Sequence, residues 1–134
     1  MRIFIIMLLG GMSIFTSNAQ IAERELIKSV AGKNKTLILD VRTLGEYNQD
    51  HMIGTLNIPV DNLSDTSFYR SLRSYDNIII VCKGGGRASK AKKMLEEQGF
   101  HNLYNGGGWK RVQEILAPKK EEEEYELPEI IRIR

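Results

Sequence analysis

Ile78-Ile79-Ile80-Val81-Cys82-Lys83-Gly84-Gly85-Gly86-Arg87-Ala88-Ser89-Lys90-Ala91 is the stretch that decides the fold. A β-branched apolar run reads as a buried strand, and it delivers the chain's single cysteine to that strand's end. Three glycines then let the backbone curl around the thiol, and a helical pattern starts where they stop. A thiol facing backbone N–H groups and a helix N-terminus is stabilised as thiolate, the form that attacks electrophiles. Cys82 therefore reads as a nucleophile in an anion-binding cradle. Gly84, Gly85 and Gly86 supply amides to a bound anion, as an oxyanion hole does. Lys83 and Arg87 add positive charge, and Ser89 offers a hydroxyl donor at the helix start.

Outward from this loop, strands and helices alternate. Residues 21–30 read as a helix stopped by Gly32, and residues 36–41 as an apolar strand buried on both faces. A helical turn at 45–49, a brief strand at 55–58 ended by Pro59, and a loop and helix at 61–74 lead to the central strand, 77–81. A helix at 88–98 capped by Gly99, a last short strand at 101–104, a flexible turn at Gly106-Gly107-Gly108 and a helix at 109–116 complete the pattern. Such alternation implies a mostly parallel sheet covered on both faces, with its site at the carboxyl ends of the strands, where Cys82 lies.

The ends differ from the middle. Arg2, the apolar run over residues 3–15 and Ser17-Asn18-Ala19 have the form of a secretory signal peptide, assigned to residues 1–19. The run is short for a membrane span, so no stable membrane association is expected after cleavage. Export, to the periplasm or with extracellular release as the alternative, puts the lone cysteine in an oxidising compartment, where structural cysteines come in pairs. Residues 20–118 suffice for one compact domain. Residues 119–134, with Glu121 to Glu124 near their start, read as a charged tail whose last five residues alternate enough to pair as an edge strand. The net charge of +2 becomes +1 without Arg2, and no basic tract with interleaved aromatics supports nucleic-acid binding. His51 and His101 are the only histidines, and their spacing gives no metal site. No cofactor is called for.

Two segments make the chain resemble the rhodanese family of single-domain sulfurtransferases. The first is Asp40-Val41-Arg42-Thr43-Leu44-Gly45-Glu46-Tyr47, continued by His51-Met52-Ile53-Gly54-Thr55-Leu56-Asn57-Ile58-Pro59. The second is the loop from Cys82 to Arg87, echoed by the late glycines before Trp109. Asp50, Met52 and Thr55 depart from the family's usual residues, all within the structural segment. The resemblance implies a three-layer α/β/α fold around a mostly parallel five-stranded sheet. It also implies a persulfide on Cys82, formed from a small anionic donor such as thiosulfate and discharged to cyanide, a thiol or a protein cysteine. Asp40 and Arg42 are expected to form a structural ion pair that supports the loop, and Arg87 either meets the donor or pairs with a carboxylate.

Two other functions fit parts of the sequence. A non-enzymatic binding or redox-sensing module of the same family would share the fold, although inactive members commonly lack the cysteine. Cysteine phosphatases and arsenate reductases also pair a loop cysteine with an arginine, but place five residues between them. Here four intervene, Lys83 to Gly86, and no aspartate just beyond the loop offers a general acid.

Overall fold

The computed structural model describes residues 18–33 and 35–118. Helix α1 (Asn18–Ala31) leads into β1 (Thr36–Asp40), α2 (Leu44–Gln49) and the two-residue β2 (Leu56–Asn57). Short 3-10 turns at Val60–Asn62 and Thr66–Phe68 precede α3 (Tyr69–Leu72), β3 (Asn77–Cys82), α4 (Gly86–Glu97), β4 (Leu103–Gly108) and α5 (Trp109–Leu116). The sheet runs β2-β1-β3-β4, and every pairing is parallel. The segment 61–74, expected as a loop and helix, resolves into two 3-10 turns and a single turn of α-helix.

Side chains alternate along β3 and divide the core in two. Ile78, Ile80 and Cys82 join Leu37, Leu39 and Val41 beneath Ala88, Ala91 and Leu95 of α4 and Leu72 of α3. Ile79 and Val81 face the other way, against Ile27 and Val30 of α1 and Trp109, Val112 and Ile115 of α5. All six residues of β3 are buried, as a central parallel strand requires. This is the expected three-layer α/β/α arrangement with the sheet in the middle. Four strands form it among the described residues, where five were expected. The terminal stretch read as an edge strand lies outside the described residues, as do residues 1–17 of the expected signal peptide.

The flexible turn expected at Gly106-Gly107-Gly108 is instead the end of β4. Ile80 pairs with Asn105 but Val81 pairs with Gly107, so Gly106 is the extra residue of a bulge. A Cβ on Gly106 would stand 2.9 Å from methyl groups of both Ile79 and Val112. Glycine is required here because β4 presses onto the β3–α5 core, a tertiary demand that composition reads as flexibility. Gly106→Ala is expected to cost about 1–3 kcal/mol through overpacking. Urea unfolding checks this, and a loss below about 0.5 kcal/mol would mean the bulge has room to spare.

Among the described residues no helix is long and apolar enough to cross a membrane.

Candidate active site

Strand β3 ends on Cys82, which is 1% exposed and points toward the α4 side of the sheet. The chain then turns through Lys83 and Gly84 to Gly85, whose N–H donates to Cys82 Sγ at 2.9 Å. Gly85 has φ +105°, a left-handed conformation that side chains disfavour, and it sits immediately before α4. The first N–H groups of α4 have no partners within the helix, and no acidic side chain occupies its first turn. The positive end of the helix dipole is thus turned toward the loop.

Strand β4 clasps the loop from outside. A Cβ on Gly85 would lie 3.3 Å from Gly107 Cα, and one on Gly108 would lie 2.8 Å from the Lys83 carbonyl oxygen. Asn105 ties the two segments. Its Nδ2 donates to Ser89 Oγ at 2.7 Å and to the Gly85 carbonyl at 3.3 Å, while its Oδ1 accepts from the Gly107 N–H at 2.8 Å. The Ser89 hydroxyl, expected as a donor at the helix start, is therefore an acceptor for Asn105. The Ser89 N–H instead begins the α4 ladder on the Gly85 carbonyl.

The second motif lies beside the first because β1 and β3 are neighbours in register, with Asp40 opposite Val81. Asp40 and Arg42 are 1% and 4% exposed. Arg42 Nε and Nη2 grip both carboxylate oxygens, the shortest contact being 2.7 Å. The same guanidinium donates to the Asp50 carbonyl at 2.9 Å and lies 4.6 Å from the centre of the Trp109 ring. One buried cation therefore joins β1, the end of α2 and the start of α5.

Arg87, expected either over the donor or on a carboxylate, is found on a carboxylate. Its two terminal nitrogens meet Glu46 at 2.6 and 2.9 Å. Glu46 occupies the third position of α2 in a capping box with Thr43: Thr43 Oγ1 accepts from the Glu46 N–H, and the Thr43 N–H returns a bond to Glu46 Oε2 at 3.0 Å. The Arg87 guanidinium, helped by the Thr43 N–H, holds the Glu46 carboxyl well below the usual carboxylate range. Glu46 in turn raises Arg87, with smaller contributions from the nearby charges of Cys82 and Asp40. A depressed carboxyl stabilises the native state above its ordinary range and loses that contribution only as pH falls further. The Glu46–Arg87 link thus persists through neutral and mildly acidic pH.

A groove of about 380 Å³ opens beside the loop, lined by Arg42, Glu46, Gln49, Asp50, Lys83, Trp109 and Lys110. Lys83 is exposed at its rim, where it can meet an anion, and so is Lys110. Trp109 is buried, and its ring forms part of the wall. The structure thus brings Cys82, Lys83, Gly84, Gly85, Gly86 and Arg87 into one loop, with Asp40 and Arg42 at the end of the neighbouring strand β1. Sequence reasoning missed the parts played by Glu46, Asn105 and Lys110. Thr43-x-x-Glu46 has the spacing of a capping box, but nothing local announces a partner 41 residues away.

The model of the rhodanese-like domain matches residues 23–114 of this chain. Among curated proteins, the chain is 31% identical over 81 residues to the thiosulfate sulfurtransferase PspE of Escherichia coli (strain K12), covering 60% of this chain and 75% of that protein. It is 32% identical over 82 residues to the putative sulfur carrier protein YrkF of Bacillus subtilis (strain 168), again 60% of this chain but 43% of that protein. Among solved structures, the rhodanese-like domain of an Anabaena protein superposes with a TM-score of 0.57 at 28% identity, covering 76% of this chain and 75% of that one.

Proposed function

The chain belongs to the rhodanese-like domain family, and from that membership we propose that it is a sulfurtransferase working through a persulfide on Cys82. In the first half-reaction the Cys82 thiolate attacks the sulfane sulfur of thiosulfate. The new S–S bond forms as the old one breaks, and its electron pair leaves with sulfite. In the second, a thiophilic acceptor (cyanide, a thiol or a protein cysteine) attacks the outer sulfur and restores the thiolate. Charge balances in both halves, and no cofactor takes part.

The observation that carries this reading is a buried thiol at the base of a four-residue interval, bonded by the Gly85 N–H at 2.9 Å. A terminal sulfur atom projects from its donor and can reach into such a ring. A phosphorus centre is shielded by its own oxygens and needs a wider one, which disfavours phosphatase chemistry. Loop amides and the α4 N-terminus meet the negative charge carried by the donor and left on the persulfide, and Lys83 adds a cation at the rim. The relatives described as a thiosulfate sulfurtransferase and a putative sulfur carrier support the same chemistry. The leader-like residues 1–19 support export, with the periplasm as the working compartment and the donor and acceptor met there.

Mass spectrometry of the purified protein after exposure to thiosulfate tests the proposal. The expected result is a single added sulfur on Cys82, removed by cyanide, together with negligible hydrolysis of p-nitrophenyl phosphate. No adduct would favour a passive binding module, and phosphatase turnover dependent on Cys82 would favour the phosphatase reading.

A further inference from the structure

The loop is also shaped by the left-handed Gly85, the Asn105 bonds and the β4 glycines, apart from the Glu46–Arg87 pair. That pair decides where the loop's guanidinium charge is spent. Both terminal nitrogens of Arg87 lie on one carboxylate. Its Oε2, which Arg87 Nη1 also reaches, accepts from the Thr43 N–H and hydroxyl at 3.0 and 2.9 Å, so the carboxylate is braced in place. Glu46, and not Arg87, lines the groove beside the loop, together with the cationic residues Arg42, Lys83 and Lys110. An anion entering the groove therefore meets a fixed carboxylate among its cations, while the Arg87 guanidinium is already engaged by that carboxylate.

Resting on the sulfurtransferase reading, we propose that Glu46 is a specificity-determining residue that occupies Arg87 and so turns the site from dianionic donors toward sulfane donors of lower charge. Monoanionic thiosulfonates and organic persulfides are that class. The chemistry is unchanged: Cys82 attacks the terminal sulfur of a thiosulfonate, the S–S bond breaks, and a sulfinate leaves with the electron pair.

Glu46→Gln isolates the charge, since glutamine at this position preserves a capping box with Thr43. The measurement is kcat/KM with thiosulfate, a dianion, divided by kcat/KM with methanethiosulfonate, a monoanion. In Glu46→Gln this ratio is expected to rise about threefold or more, chiefly through a lower KM for thiosulfate, and the rise should shrink at high salt. Glu46→Asp should stay nearer the parent ratio. A purely structural Glu46 would depress both donors alike, and an unchanged ratio would overturn the proposal. Protection of Cys82 from iodoacetamide by sulfate gives a second readout that needs no turnover. Sulfate should protect Glu46→Gln at lower concentration than the parent, and equal or weaker protection would equally overturn the role of Glu46. If neither donor places sulfur on Cys82 of the parent protein, the sulfurtransferase reading fails, while the sulfate comparison still decides whether Glu46 governs anion binding.

Discussion

Cys82→Ala is expected to abolish the thiocyanate formation from thiosulfate and cyanide that the proposed function requires, leaving only the uncatalysed background. The expectation follows from covalent catalysis: with the thiol removed, nothing in the loop can hold the sulfur between donor and acceptor. Cys82 is the chain's only cysteine, so no second thiol can substitute. The fold should survive. The side chain is small and 1% exposed, and its loss removes roughly one buried methylene's worth of packing, about 1 kcal/mol. Thiocyanate release assayed beside a thermal melt separates the two effects. Comparable turnover in a folded Cys82→Ala protein would sink the nucleophile assignment.

Arg42→Ala produces the largest loss of stability expected of any single change at the site. Asp40 is 1% exposed, and Arg42 supplies three of the hydrogen bonds to its carboxylate along with the neighbouring positive charge. Removing one partner of a buried pair leaves the other uncompensated, at about 3–5 kcal/mol. The Asp50 carbonyl loses its guanidinium donor as well, and Trp109 loses the nearer of the two cations beside its ring. Against a typical domain stability of about 5–15 kcal/mol, such a change approaches global unfolding. Urea denaturation at low and high salt is the measurement. The loss should be nearly independent of salt, because a buried pair is poorly screened. A loss under about 1 kcal/mol, or one erased by salt, would show that the pair behaves as a solvated surface contact.

These two predictions draw on different kinds of information. The importance of Cys82 was legible from its neighbours in the chain: an apolar run before it, glycines after it and a helical pattern beyond. The Asp40–Arg42 pair was also legible, since the two residues stand two apart at the end of a strand. The depth of its burial, and the way Arg42 reaches Asp50 and Trp109, were not. Glu46 shows the limit most clearly. Its capping box with Thr43 is local and readable, whereas its bond to Arg87 depends on α2 and the Cys82 loop being brought together by the parallel register of β1 and β3. The glycines of β4 were misread for the same reason. A run of glycine is compatible with a loose turn or with a strand pressed against its neighbours, and only the methyl groups of Ile79 and Val112 beside Gly106 distinguish them.

By itself, then, the sequence determined the alternation of strands and helices, the parallel three-layer arrangement and the placement of Cys82 at a strand's end. Each of these rests on hydrophobic periodicity and on backbone preferences acting over a few adjacent residues. Only the tertiary structure decided that β4 runs through its glycines, that Asn105 fastens the loop to that strand, and that Arg87 is held by Glu46. Those features depend on which atoms approach from distant parts of the chain, and a side chain's identity does not specify its partner when several carboxylates and cations could serve.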